Sequence, residues 1–322
     1  MAENILDIQD LVVEYHTDDA VIHAVNGINL TVKQGETIGL VGETGAGKTT
    51  IARAILRILQ TPPAKFCGGK IFFQDKDIMS LSEQEMRKIR GDKIAMIFQD
   101  PMTALNPIER VGWQIAESIS LHNKVTRAEA ERKACDMLEM VGIPMARYSE
   151  FPHQFSGGMK QRVIIAMALA CNPVLLLADE PTTALDVTIQ AQVLEMMRSL
   201  KDRLGTSVVM ITHDLGVVAD CCDSVAVVYA GEIVESGTAE HIYDHPTHPY
   251  TIGLFNSLPR LNSTERRLKP IKGLMPDPTN LPKGCKFCDR CPDATPECTE
   301  KSPSVVETAP GHLVKCFLAG GK

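Results

Sequence analysis

No stretch of this 322-residue sequence is apolar for long enough to cross a membrane. The most apolar segment, 163–178, is broken by Asn172-Pro173 and falls short of the ~20 residues that a spanning helix needs. An apolar leader is missing too, because Glu3, Asp7 and Asp10 interrupt the N-terminus. Basic excess is absent: 33 Lys and Arg stand against 40 Asp and Glu, a net charge of −7. That balance argues against nucleic acid as the primary partner. There is no internal repeat and no low-complexity tract. What is present, 44% hydrophobic and 23% charged residues, is the composition of a globular protein. The length allows a large core and two domains. The expectation is a cytosolic chain whose partners do any membrane work.

Three phosphate-handling motifs follow in fixed order. The first, Gly42-Glu43-Thr44-Gly45-Ala46-Gly47-Lys48-Thr49, has the form G-x-x-x-x-G-K-[ST]. Residues 27–33 alternate Ile28, Leu30 and Val32 with polar residues, as in a half-buried strand. A second short apolar run, 37–41, leads into the glycines, and 51–59 reads as a helix. Strand, glycine loop and helix are the context that this motif requires. Glycines let successive N–H groups point at phosphate, and the helix N-terminus adds a positive dipole. Lys48 is placed to reach the β- and γ-phosphates, and the Thr49 hydroxyl to ligate Mg²⁺. Thr50 completes the candidate nucleotide contacts.

The second motif is Phe155-Ser156-Gly157-Gly158-Met159, and the third is the run 174–178 that ends in Asp179-Glu180. An unbroken apolar run suits a parallel strand buried on both faces. Carboxylates at its C-terminal end fall where α/β sheets place ligands. Asp179 is the candidate Mg²⁺ ligand, through water, and Glu180 the group that polarises the attacking water. Ser156 is a good N-cap for an apolar helix, which makes a second anion site at a helix N-terminus.

Together these motifs resemble those of ABC-type ATPases, whose signature is usually written LSGGQ. Phe155 and Met159 depart from that signature, while Ser156, Gly157 and Gly158 keep its phosphate contacts. The resemblance adds further roles. Tyr15 resembles the aromatic that stacks on adenine, and Gln99 the glutamine that contacts Mg²⁺. Ala184-Leu185-Asp186 resembles the D-loop, and His213 the switch histidine that senses the γ-phosphate. It implies an α/β P-loop nucleotide-binding domain over 1–244, with a helical subdomain inserted at about 101–171. It also implies a head-to-tail dimer, with ATP between the glycine loop of one subunit and the signature of the other. Within the helical block, Thr126 and Glu129 form a plausible capping box, Ala130, Ala134, Met137, Leu138 and Val141 recur at helical spacing, and Gly142 ends the helix.

Composition shifts after residue 244. Eleven of nineteen prolines lie from Pro246 onward. Pro270, Pro276, Pro278, Pro282, Pro292 and Pro296 argue against regular structure there. Half of the ten cysteines, Cys285, Cys288, Cys291, Cys298 and Cys316, also lie in this extension. Cys67, Cys135, Cys171, Cys221 and Cys222 are scattered, as inert core thiols would be. A cytosolic chain rarely uses disulfides, so four thiolates on Zn²⁺ or an iron–sulfur cluster is the better reading. Local spacing favours a C-x2-C-x2-C start. The extension, with His245-Pro246-Thr247-His248-Pro249-Tyr250-Thr251 ahead of it, resembles that of dipeptide and oligopeptide permease ATPases. There C-x5-C-x6-C-x17-C matches Cys285, Cys291, Cys298 and Cys316, which implies a [4Fe-4S] cluster in a small irregular Cys-rich domain over 245–322. Cys288 is then spare. His245 and His248 are further candidate ligands, but proline-flanked histidines in a linker are more often structural.

The resemblance implies ATP hydrolysis that drives peptide import at the cytoplasmic face of the inner membrane. It also implies a second ATPase subunit, two transmembrane permeases and an extracytoplasmic solute-binding protein. The competing expectation is a non-transport soluble ABC ATPase whose metal module is regulatory.

Overall fold

A computed structural model describes residues 3–183, 185–257 and 270–320. The N-terminal strands are β1 (Asn4–His16), β2 (Val21–Lys33) and β3 (Thr37–Val41), followed by α1 (Lys48–Ile55). Next come β4 (Ala64–Phe73), β5 (Lys76–Asp77), α2 (Glu83–Ile89) and β6 (Ile94–Ile97). A helical stretch holds α3 (Pro101–Ala104), α4 (Val111–His122), α5 (Arg127–Met140) and α6 (Gly157–Leu169). Then follow β7 (Leu175–Asp179), α7 (Val187–Leu204), β8 (Ser207–Ile211), α8 (Leu215–Cys221), β9 (Ser224–Tyr229) and β10 (Glu232–Thr238). The chain closes with α9 (Ala239–Asp244), α10 (Pro249–Asn256), α11 (Pro296–Glu300), β11 (Val306–Ala309) and β12 (His312–Val314).

The chain forms two compact units. The first comprises Met1–Leu6, Thr31–Thr37 and Phe72–Ile211. Its core is a parallel sheet in which β7 lies between β6 and β8. Every residue of β7 and β8 is buried, as the apolar runs require of strands covered on both faces. The helices α3 to α6 lie in this unit. The expected capping box at Thr126 and Glu129 opens α5, and Ala130, Ala134, Met137 and Leu138 form its buried stripe.

The second unit comprises Asp7–Leu30, Ile38–Ile71 and Thr212–Lys322. Here β3 pairs in parallel with β9, and β10 and β12 continue antiparallel from β9. Strands β2, β1 and β4 are neighbours in a separate sheet. The helix expected over 51–59 stops at Ile55, because Arg57 adopts φ 51 and turns the chain.

Two expectations are corrected here. The extension is not free of regular structure. Pro249 and Pro296 sit in the first turns of α10 and α11, where a missing N–H costs nothing. Beyond most of the prolines, β12 pairs with β10, and His312 Nε2 lies 2.7 Å from the buried Glu235 carboxylate. That carboxylate also accepts from the Thr247 and His248 N–H groups. Cys67 is not a core thiol either. It is exposed on β4, where its Sγ lies 3.2 Å from Glu14 Oε2.

Candidate functional site

In the second unit, the loop 42–47 joins β3 to α1. Gly42 has φ 154, and a Cβ there would lie 2.2 Å from the Val228 carbonyl oxygen. Gly47 caps α1 with φ 102, and a Cβ would lie 2.4 Å from the Ala24 oxygen. Only glycine fits either position. The first turn of α1 carries no acidic residue, so nothing there opposes an anion. Lys48 is buried, and its Nζ donates to the carbonyls of Gly42 at 2.7 Å and Glu43 at 3.0 Å. Tyr15 stands on β1 with its hydroxyl 3.2 Å from the Thr50 hydroxyl. His213 is exposed just after β8, one residue before Asp214, which caps α8.

Glu43 is held differently from its neighbours. Its N–H donates to the Tyr250 hydroxyl at 3.0 Å, and its carbonyl accepts from Lys48. Its carboxylate takes both prongs of the Arg290 guanidinium, at 2.9 and 3.0 Å. All three groups of Glu43 therefore have protein partners, so the residue shapes the loop. The sequence gives no signal for this pair, which spans 247 positions.

In the first unit, Asp179 is buried at the end of β7. Glu180 follows with φ 49, an unusual conformation for a residue with a side chain. Its N–H is held by the Ile211 carbonyl at 2.8 Å. Its carboxylate accepts from Gln99 Nε2 at 3.1 Å and from the Thr183 hydroxyl at 2.9 Å. The structure thus brings Glu180 and Gln99 together. Asp186 caps α7 by accepting from the Ile189 N–H, while Ala184 lies outside the described residues.

The serine of the second motif also falls at a helix start. Ser156 caps α6, its hydroxyl accepting from the Met159 N–H. Among the described residues nothing lies within 4 Å of a Cβ built on Gly157, whereas one on Gly158 would meet Ile189 at 2.6 Å. Gly158 is thus needed for packing against α7, and Gly157 leaves open space at the turn.

The five C-terminal cysteines line one small cavity with Phe287, Phe317 and Leu318. The segment closes on itself through the Cys285 N–H, which donates to the Cys298 carbonyl at 2.8 Å. Burial pushes the Cys285 and Cys288 thiols up to about 11, and raises Cys291 and Cys316 as well. Neighbouring thiols add to this. Cys285 is raised by Cys298, Cys316 and Cys291, and Cys291 by Cys316 and Cys298. Cys316 is raised by Cys298. The neighbours that raise Cys288 are Asp289 and Cys285. Among the described residues, no three of these sulfurs lie mutually within 4.8 Å. His248 also borders the cavity, and its Nδ1 accepts from the Tyr250 N–H at 3.0 Å.

Comparison with known proteins points one way. Residues 25–183 match the family described as ABC transporter, and residues 234–298 match the oligopeptide/dipeptide transporter C-terminal region. The chain is 50% identical to the oligopeptide transport ATP-binding protein OppD of Bacillus subtilis, over 98% of this chain and 88% of that one. It is 47% identical to the dipeptide transport ATP-binding protein DppD of the same organism, over 98% and 95%. Among solved structures, the dimeric post-hydrolysis state of the ATP-binding cassette MJ0796, bound to ADP and Pi, matches with a TM-score of 0.65 and 28% identity. It covers 73% of this chain and 98% of its own.

Proposed function

The chain belongs to the ATP-binding subunits of ABC transporters, in their oligopeptide and dipeptide branch, and we propose that it hydrolyses ATP to drive uptake of short peptides. The observation that carries hydrolysis is the fixed carboxylate of Glu180, oriented by Gln99 and Thr183. In this reading Gly42 to Thr50, with Lys48 foremost, hold the phosphates, and Tyr15 stacks on adenine. Thr49, Gln99 and Asp179 are the residues that would hold Mg²⁺, which would neutralise charge on the phosphates. Glu180 polarises the water that attacks the γ-phosphorus, and the bond to the ADP oxygen breaks. His213 senses the γ-phosphate. Ser156, Gly157 and Gly158 serve the nucleotide of a second, related subunit, and Asp186 stands at that junction. The open space at Gly157 supports a role toward another chain.

The transport partners are two permeases and an extracytoplasmic solute-binding protein, with this chain peripheral at the cytoplasmic face. Among the described residues no helix is long and apolar enough to cross a membrane. Phe98, Ile108 and Trp113 are large apolar side chains left exposed on the Gln99 segment and the helical block. Such a surface suits the docking of permease segments.

The residues 245–322 act as a metal module. Cys285, Cys291, Cys298 and Cys316 are the thiols that would hold a [4Fe-4S] cluster, with Cys288 outside the set. All five thiols line one small cavity, and the role of a cluster there would be structural or redox-sensing.

Two experiments test these statements. Glu180→Gln is expected to bind ATP yet lower steady-state hydrolysis by roughly 10²–10⁴-fold, the scale of general-base catalysis. Unchanged hydrolysis would remove Glu180 from the chemistry. An oxygen-free preparation is expected to contain iron and labile sulfide. One zinc per chain, with neither of those, would replace the cluster by a zinc site.

A further inference from the structure

A loop built to receive a polyphosphate carries a glutamate at its second position, and that charge needs an explanation. Glu43 would repel the phosphates unless it were neutralised. Its neutralising partner is Arg290, which approaches from the cysteine segment. The Arg290 side chain is only 7% exposed, and its guanidinium meets both carboxylate oxygens, at 2.9 and 3.0 Å. Its remaining contacts fix it further: Nε donates to the Lys272 carbonyl at 3.0 Å, and a terminal N–H donates to the Tyr229 hydroxyl at 3.3 Å. A planar fork so constrained positions a carboxylate as well as neutralising it.

The support behind Arg290 is the cysteine segment itself. Arg290 ends the single helical turn Cys288–Arg290, and Cys291 follows it. The buried Phe287 beside that turn packs against Tyr229 and Tyr250, with ring centroids 5.2 and 5.4 Å away. Tyr250 is the residue that accepts the Glu43 N–H. Two routes therefore run from the cysteine segment to the same loop residue, one through its carboxylate and one through its backbone.

We propose that Arg290 is a positioning residue for the phosphate loop, cancelling the Glu43 charge and tying nucleotide affinity to the fold of the cysteine segment. This rests on the reading that the loop binds ATP phosphates. The test is calorimetric binding of a non-hydrolysable ATP analogue with Mg²⁺ to the full chain. Lys48→Ala checks the underlying reading and is expected to abolish binding. If it does not, that reading falls first.

Arg290→Met is expected to weaken binding about tenfold, equivalent to 1.4 kcal/mol. Arg290→Lys keeps the charge and loses the fork, so it should fall between that variant and wild type. The decisive variant is Glu43→Gln combined with Arg290→Met. Removing the stranded charge should recover most of the lost affinity, which a merely structural arginine would not allow. Cys291→Ser should weaken binding in the wild type but add little in Arg290→Met. Undiminished affinity in folded Arg290→Met, no recovery in the double variant, or a full Cys291→Ser effect without Arg290 would each overturn the proposal.

Discussion

Two helices of this protein start at glycine-bearing turns, and they are built differently. At α1 two of the three loop glycines are enclosed: Gly42 and Gly47 each face a backbone oxygen closer than a Cβ could tolerate, while among the described residues nothing lies within 4 Å of a Cβ built on Gly45. Among the described residues no side chain caps that helix, and the loop is held by Lys48, Tyr250 and Arg290 instead. At α6 the serine hydroxyl supplies the cap, and the space above Gly157 is open. An enclosed turn is finished by its own chain. An open turn is available to something else. Under the proposed function, the first is a phosphate site made in place and the second is one that another subunit completes.

The same substitution at the two turns should therefore act in opposite directions. Gly42→Ala forces a Cβ to 2.2 Å from the Val228 carbonyl, so the strand or the loop must shift. Thermal unfolding should show a loss of about 1–3 kcal/mol, the range for overpacking, with ATP binding lost in the isolated chain. Ser156→Ala comes next. Losing the cap should cost about 1 kcal/mol, with ATP binding by the single chain intact. Gly157→Ala is the sharpest contrast. A methyl group there meets nothing among the described residues, so stability should rise by roughly 0.5–1 kcal/mol. Hydrolysis by the assembled transporter should nevertheless fall. A Gly157→Ala variant with full transport activity would show that the open turn is merely exposed.

Much of this was legible in the sequence where chemistry is local. The glycine loop, the apolar runs that became β3 and β7, and the capping box at Thr126 each depend on neighbours within a few residues. Glu180 was legible as a type of residue, but its left-handed backbone was not, because its N–H is bound to the Ile211 carbonyl, 31 positions further along the chain. The Glu43–Arg290 pair was invisible for a similar reason. Nothing near either residue specifies a partner 247 positions away, and a glutamate beside a phosphate loop reads as a solvated charge. The pairing of β12 with β10 was hidden by the prolines between them, which bar regular structure only where they stand.

The last expected effect concerns pH, and it follows from how the α1 turn is supported. His248 caps α10, and its Nδ1 accepts the N–H of Tyr250, whose hydroxyl in turn accepts the N–H of Glu43. Burial lowers the His248 pKa to about 4, so the fold requires the neutral ring. A histidine depressed in the folded state contributes stability above its unfolded value near 6.5 and loses it as pH falls toward 4. Over that window the slope is at most about 1.4 kcal/mol per pH unit. His248→Asn keeps an acceptor and a good cap but cannot titrate. Its melting temperature should therefore fall less steeply than that of the wild type between pH 6.5 and 4.5, with ATP binding retained further into acid. If both proteins lose stability along the same curve, His248 does not couple protonation to the turn, and the phosphate loop is held by Lys48, Tyr250 and Arg290 without it.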